Sequence, residues 1–244
     1  MNETLERFSG HGGRHRQHSR WAGALVVSLA FLAMEGEAHA QTTLADYDYE
    51  HLSFRGFSLE AGYIFPTRVE PTYTVGARFD LGYLGPGLRI MPGIAYWSST
   101  MKRSEVAKLE RRIDELIWEQ GDPGAGFTGV NLGTIDWADL VLSLDGHFVW
   151  SVPFDFLTFA GAGASLHVFN AKGRAISGTF VEDFMDTWSP GLNVHGGLEY
   201  LLSDQFRLYG LARVELLEDL RYMELRFGGQ IMLVPPAPGE GRSR

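Results

Sequence analysis

The sequence predicts an all-β fold: an eight-stranded antiparallel up-and-down transmembrane β-barrel with one helix in a long extracellular loop. Three observations predict it. Eight segments alternate strictly between apolar and polar residues, long and short connections take turns between them, and an export-type segment precedes them all.

The 244 residues suit a single barrel domain, since all-β barrels reach roughly 250 residues as one unit. The chain has no cysteine, which excludes disulfides, thiolate metal sites and a lipidated N-terminal cysteine. A formal charge of −9 without any Lys/Arg-rich run argues against a nucleic-acid partner.

Arg14, Arg16 and Arg20 precede an apolar run, Trp21 to Met34, and Ala38-His39-Ala40 fits a small-x-small cleavage pattern. Residues 1–40 therefore read as a signal peptide, 41–53 as an N-terminal periplasmic segment, 54–234 as the barrel and 235–244 as a disordered tail. The apolar run is about 14 residues, short of the roughly 20 a transmembrane helix needs. Nothing after residue 40 approaches that length, so a membrane-entering mature chain enters as a barrel.

The eight segments follow in order. Segment one sets Phe57, Leu59, Ala61, Tyr63 and Phe65 against Ser58, Glu60, Gly62 and Ile64. Segment two sets Tyr73 to Tyr83, at odd numbers, against Thr74, Gly76, Arg78, Asp80 and Gly82. Segment three alternates Leu88, Ile90, Ile94 and Tyr96 with Arg89, Met91 and Gly93. Segment four alternates Leu140, Leu142, Leu144, Phe148 and Trp150 with Asp139, Ser143, Asp145 and His147. Segment five runs from Phe154 to Val168, with Leu157, Phe159, Gly161, Gly163, Ser165 and His167 on its second face. Segments six to eight place Asn193, His195, Gly197 and Glu199, then Arg207, Tyr209, Arg213 and Glu215, then Glu224, Arg226, Gly228 and Gln230 opposite apolar columns. An even count closes an antiparallel barrel.

Leu84-Gly-Pro-Gly87, Ser151-Val-Pro153 and Ser203-Asp204 read as tight turns. The connections after segments three and five are roughly 38 and 20 residues. All long connections thus fall at one end, the outside, and both termini fall on the periplasmic side. Tyr63, Phe65, Tyr73, Tyr96, Trp97 and Trp137 are expected in an aromatic belt at the long-loop end. Tyr83, Trp150, Phe154, Phe156 and Tyr200 are expected in a second belt at the tight turns.

Alternation does not say which face points inward. One face carries Glu60, Arg78, Asp80, Arg89, Asp145, Glu199, Arg207, Arg213, Glu215, Glu224 and Arg226 between glycines and serines. Eight strands leave room only for side chains inside, and mixed charges there form a lumenal network if they pair. The other face is nearly free of charge, as a lipid contact requires.

With those residues in view, the chain resembles the eight-stranded outer-membrane proteins of the OmpA transmembrane-domain and OmpX type over residues 54–234. Arg226, Gly228, Ile231 and Leu233 match the spacing of the last-strand signal such proteins present to the barrel-assembly machinery. The terminal aromatic of that signal is missing, and Pro235 to Arg244 follows instead. That tail is too short for a peptidoglycan-binding domain. The resemblance implies outer-membrane localisation, outer-membrane lipid and the assembly machinery as partners, and a porin-like cell-envelope protein of a Gram-negative cell.

Lys102 to Gln120 predicts a helix with Val106, Leu109, Ile113, Leu116 and Ile117 on one stripe, expected to pack on the barrel mouth. An Arg111–Glu115 pair is expected along it. Loop 170–188 carries Glu182, Asp183 and Asp186, and reads as a solvated acidic loop that matches no calcium-loop spacing. Loops 101–135 and 170–188 are the expected sites for an extracellular partner. No catalytic, cofactor or metal residues are assigned. Three functional readings follow: a non-enzymatic barrel for envelope integrity or surface interaction; a lipid A-modifying acyl hydrolase or transferase using Ser165 and His167; and a soluble periplasmic lipocalin-like carrier. The direction of the charged face separates the last from the other two.

Overall fold

A computed structural model describes residues 52–121, 127–152, 154, 156–218 and 220–234. The expected signal peptide of 1–40 and the expected disordered tail of 235–244 lie outside the described residues. The wall contains β1 (Gly56–Pro66), β2 (Thr72–Asp80), β3 (Tyr83–Gly85), β4 (Leu88–Thr100), β5 (Asp136–Val152), β6 (Phe156–Lys172), β7 (Trp188–Leu201), β8 (Phe206–Leu217) and β9 (Arg221–Met232). Neighbours pair antiparallel throughout, β9 with β1, and β2 with β4, so the sheet closes on itself.

β2 and β3 share one place in the wall, which therefore has eight positions. The single second segment expected from the sequence is broken at Leu81-Gly82. The amide of Leu81 donates to the Ile90 carbonyl, and the Ile90 amide donates to the Gly82 carbonyl. Two residues thus stand opposite one, which is a β-bulge. Gly82 takes φ 79°, a left-handed conformation that glycine adopts freely, and its amide donates to Asp80 Oδ1 at 2.8 Å. The bulge inverts the alternation beyond it. Tyr83, expected on the outer belt, points inward and is 4 % exposed.

The rest of the alternation keeps its phase, and the charges are inside. Leu59, Val75, Leu142, Leu144, Leu192, Val194, Leu198, Leu225 and Phe227 face outward and are exposed, while their neighbours Glu60, Asp145, Asn193, Glu199, Glu224 and Arg226 are buried. A soluble carrier with an apolar lumen is overturned by this arrangement.

All long connections leave from one end. Between β4 and β5 lies α1 (Arg103–Gln120), and between β6 and β7 a short α2 (Phe180–Met185). α2 was not expected, because its acidic residues read as solvated loop. Thr179 caps it, its hydroxyl accepting from the Val181 amide. At the opposite end the Leu233 amide donates to the Arg55 carbonyl at 2.7 Å, so the last and first strands end together beside the tight turns.

The interior is layered. At the loop end, Trp97, Trp137, Phe169, Tyr222 and neighbouring aliphatics form an apolar cluster joined by Val106 and Ile113 of α1 and by Val181 and Met185 of α2. Trp97 and Trp137 are therefore lumenal rather than part of an outer belt. Leu109 and Ile117 pack on this cluster, but Leu116 does not; it is exposed. The helix is pinned at its start and along its middle. Lys102 Nζ donates to the carbonyls of Pro66 and Thr67, and Glu110 and Asp114 accept from the amides of Leu132 and Val130. Its ion pair is Lys108 with Glu105, not Arg111 with Glu115. At the turn end a smaller cluster of Tyr83, Val149, Leu157, Phe159, Leu201, Tyr209 and Leu211 fills the lumen. The charged residues begin below the loop-end cluster and continue among the members of this smaller one, with Glu199 opposite Leu157 and Tyr209, and Arg207 opposite Leu201.

An Ile113→Asp substitution tests the mouth packing, because a carboxylate buried there costs several kcal/mol. The expected outcome is release of α1, with trypsin cutting at Arg111 or Arg112 about tenfold faster or more while the strands stay protected. Unchanged cleavage kinetics would contradict the assigned role of Ile113.

Candidate functional site

The lumenal layer is built by residues that alternate inward along β1, β2 and β4 to β9. Seven buried acids, Glu60, Asp80, Asp139, Asp145, Glu199, Glu215 and Glu224, face six buried arginines, Arg55, Arg78, Arg89, Arg207, Arg213 and Arg226. At this depth each charge needs a close partner, since an uncompensated one costs several kcal/mol.

Three groupings supply the partners. Glu60 accepts from Arg226 and from the Tyr209 hydroxyl at 2.7 Å, and forms an ion pair with Arg78 at 3.0 Å. The Arg78 guanidinium lies 4.3 Å from the Tyr209 ring centre, and Arg226 also meets Glu224 at 2.5 Å. Nearer the turns, Arg89 holds both oxygens of Glu199 in a fork and stands 3.8 Å from Asp80. Arg207 also reaches Glu199, and Gln230 donates to Asp80. Toward the loop end, Arg213 bridges Asp145 at 2.7 Å and Glu215 at 2.8 Å. All ten residues expected in the network, from Glu60 to Arg226, are in it, together with Asp145.

Sequence reasoning left several contributors out of the network: Asp139, Asn193, Gln230, Tyr209 and His167. Their inward phase was the available signal. What it could not give was the partners, which come from distant strands. Gly191 shows the fit of this layer, because a Cβ there would lie 2.4 Å from Ser165 Oγ.

Ser165 and His167 form a serine–imidazole–carboxylate line. Ser165 Oγ is 3.0 Å from His167 Nε2, and His167 Nδ1 is 2.7 Å from Asp139 Oδ2. The line departs from a nucleophilic triad in one respect. The Ser165 hydroxyl donates to Glu215, and Glu215 Oε1 is also 3.4 Å from His167 Nε2, so a second carboxylate stands beside the imidazole at the serine. The other two histidines among the described residues pack apart from it: His147 stacks on Phe159, with ring centres 4.6 Å apart, and lies 4.7 Å from the His195 ring.

In loop 170–188 the acids hold the chain. Glu182 accepts from the Gly178 amide, and Asp186 accepts from the Ala171 amide and the Asn170 side chain.

Glu199→Gln tests the network. It leaves Arg89 with Asp80 as its remaining carboxylate, and a loss of about 3–5 kcal/mol in reversible unfolding from bilayers is expected. Adding Arg89→Met recovers much of that loss. A neutral single variant would contradict the pairing.

No protein-family model matches the chain, and no curated protein matches it. Among solved structures it is similar to neisserial surface protein A, with 13 % identity, 75 % of this chain and 99 % of that one covered, and a TM-score of 0.48. It is similar to Ail, the attachment invasion locus protein of Yersinia pestis, at 10 % identity, coverage of 75 % and 100 %, and a TM-score of 0.40. The N-terminal β-barrel domain of Pseudomonas aeruginosa OprF matches at 10 % identity, coverage of 75 % and 100 %, and a TM-score of 0.41.

Proposed function

We propose that the chain is an outer-membrane barrel that conducts nothing and catalyses nothing, and that presents ordered loops at the cell surface. One observation carries the reading: paired charges fill the lumen, covered toward the loops by one apolar cluster and interleaved toward the turns with a second, while the outer wall is an apolar column on every strand. In water that outer face is unfavourable, and in a bilayer it is the required one. The last-strand spacing of Arg226, Gly228, Ile231 and Leu233 supports delivery by the barrel-assembly machinery. Loops 101–135 and 170–188 are the surfaces for an extracellular partner, supported by the exposed Leu116, Trp118, Phe180 and Phe184 on a scaffold held rigid by its buried faces.

Two experiments test this. The mature chain fractionates with outer-membrane vesicles and reconstitutes into planar bilayers without opening a steady conductance. Stable channels would overturn the closed lumen, and a soluble periplasmic protein would overturn the membrane assignment. In cells carrying the chain, Ser165→Ala with His167→Ala leaves the acylation pattern of lipid A as it is with the native chain. A changed pattern would restore the acyl-hydrolase or transferase reading.

A further inference from the structure

The outer wall changes character in three steps across β4, β5 and β6. Tyr96, Leu140 and Val168 stand in one cross-strand row, with Trp188 of β7 next to Val168. The next row toward the loops is Ser98, Ala138 and Asn170, and the one beyond is Thr100, Asp136 and Lys172. Ser98 and Ala138 of the second row are small beside Tyr96 and Leu140 of the first and Lys172 of the third. The short row leaves a groove of about 320 Å³ on the outer wall.

The polar edge of this groove carries one charge of each sign. Asp136 and Lys172 are directly opposite in register, yet no ion pair joins them among the described residues. Asp136 Oδ1 instead accepts from the Thr100 hydroxyl at 2.8 Å, and Lys172 is in no ion pair among the described residues. The rim is fixed rather than loose. Asn170 donates to Asp186 at 3.0 Å, the Phe169 amide donates to the Thr187 carbonyl, and these bonds dock the end of α2 against β6. α2 turns Val181 and Met185 inward and leaves Phe180 and Phe184 70 % and 77 % exposed. Together with Trp188, also 70 % exposed, they give this quadrant the aromatic character of a membrane–water interface.

We propose that the groove is a binding site for one outer-leaflet lipid whose headgroup joins a phosphate to a primary ammonium. The inference rests on the outer-membrane reading above. The acyl chain lies along Tyr96, Leu140 and Val168, continuous with the lipid-facing wall. The phosphate meets Lys172 and the ammonium donates to Asp136, so both open charges are answered by one headgroup. A purely anionic headgroup would set its second oxygen or hydroxyl beside Asp136 without a cation. A quaternary ammonium would bring charge but no N–H to donate.

The test uses the full mature chain refolded into bilayers of phosphatidylethanolamine, phosphatidylglycerol or phosphatidylcholine, with retained lipids counted by native mass spectrometry after gentle extraction. One phosphatidylethanolamine is expected to stay bound, about tenfold more persistently than either other lipid. Ala138→Trp, which fills the groove from the lipid side, and Lys172→Gln both lose it while keeping the heat-modifiable migration of a folded barrel. Equal retention of phosphatidylglycerol, or full retention by Ala138→Trp, overturns the site. A native chain that inserts but retains no lipid overturns this inference alone. A native chain that fails to insert overturns the membrane reading beneath it.

Discussion

Glu60 meets three partners at once, Arg226, Arg78 and Tyr209, carried by β9, β2 and β8. The wall register follows from that requirement. A slip of β1 by one residue would send Glu60 to the lipid face and bring Leu59 or Ala61 into the charged layer. A carboxylate at bilayer depth costs about 2.5–3.5 kcal/mol or more, and its abandoned arginines would add their own penalty. The same logic holds at Arg89 with Glu199 and at Arg213 with Asp145 and Glu215. Three of the pairings join strands far apart in sequence, β1 with β9 through Glu60 and Arg226, β4 with β7 through Arg89 and Glu199, and β5 with β8 through Asp145 and Arg213, so the whole network forms only in the closed barrel. Closure and charge compensation are therefore one event.

In a barrel of this width side chains fill the interior. The apolar cluster at the loop end is made jointly by wall and loops. Trp97 and Trp137 come from β4 and β5, Val106 and Ile113 from α1, and Val181 and Met185 from α2. The loops are thus part of the core. That gives the surface helices a fixed orientation, with their second faces displayed outward.

The alternating strands, the helix in the long loop and the ten network charges were legible in the sequence, because charge against apolar residues at period two is a strong signal. The failures have local causes. The Leu81-Gly82 bulge puts two residues opposite Ile90, and nothing in the periodicity of the segment marks it. Trp97 and Trp137 were assigned outward by position along the strand. In the structure the inward phase simply continues past the membrane band into the mouth, where covering loops make apolar residues welcome inside. α2 had a usable signature that went unread: Thr179 with Glu182 three residues on, as at a helix N-terminus. The partners within the network were beyond reach, since Tyr209 and Glu60 are 149 positions apart in the chain.

The unequal height of the wall links the remaining features. β5 and β6 are 17 residues each, against the roughly 9–11 that cross a bilayer, and they outlast β7 at the loop end. Above the Val168–Trp188 pair, β6 would present a bare edge to water, an invitation to pair with another chain. Thr187 and Asp186 close that edge by bonding the amides of Phe169 and Ala171, and α2 follows as the element that holds them there. The tall side of the barrel is consequently the side that carries α2, the exposed aromatics and the outer groove. Protecting one strand edge has placed a rigid amphipathic surface where lipid headgroups meet water.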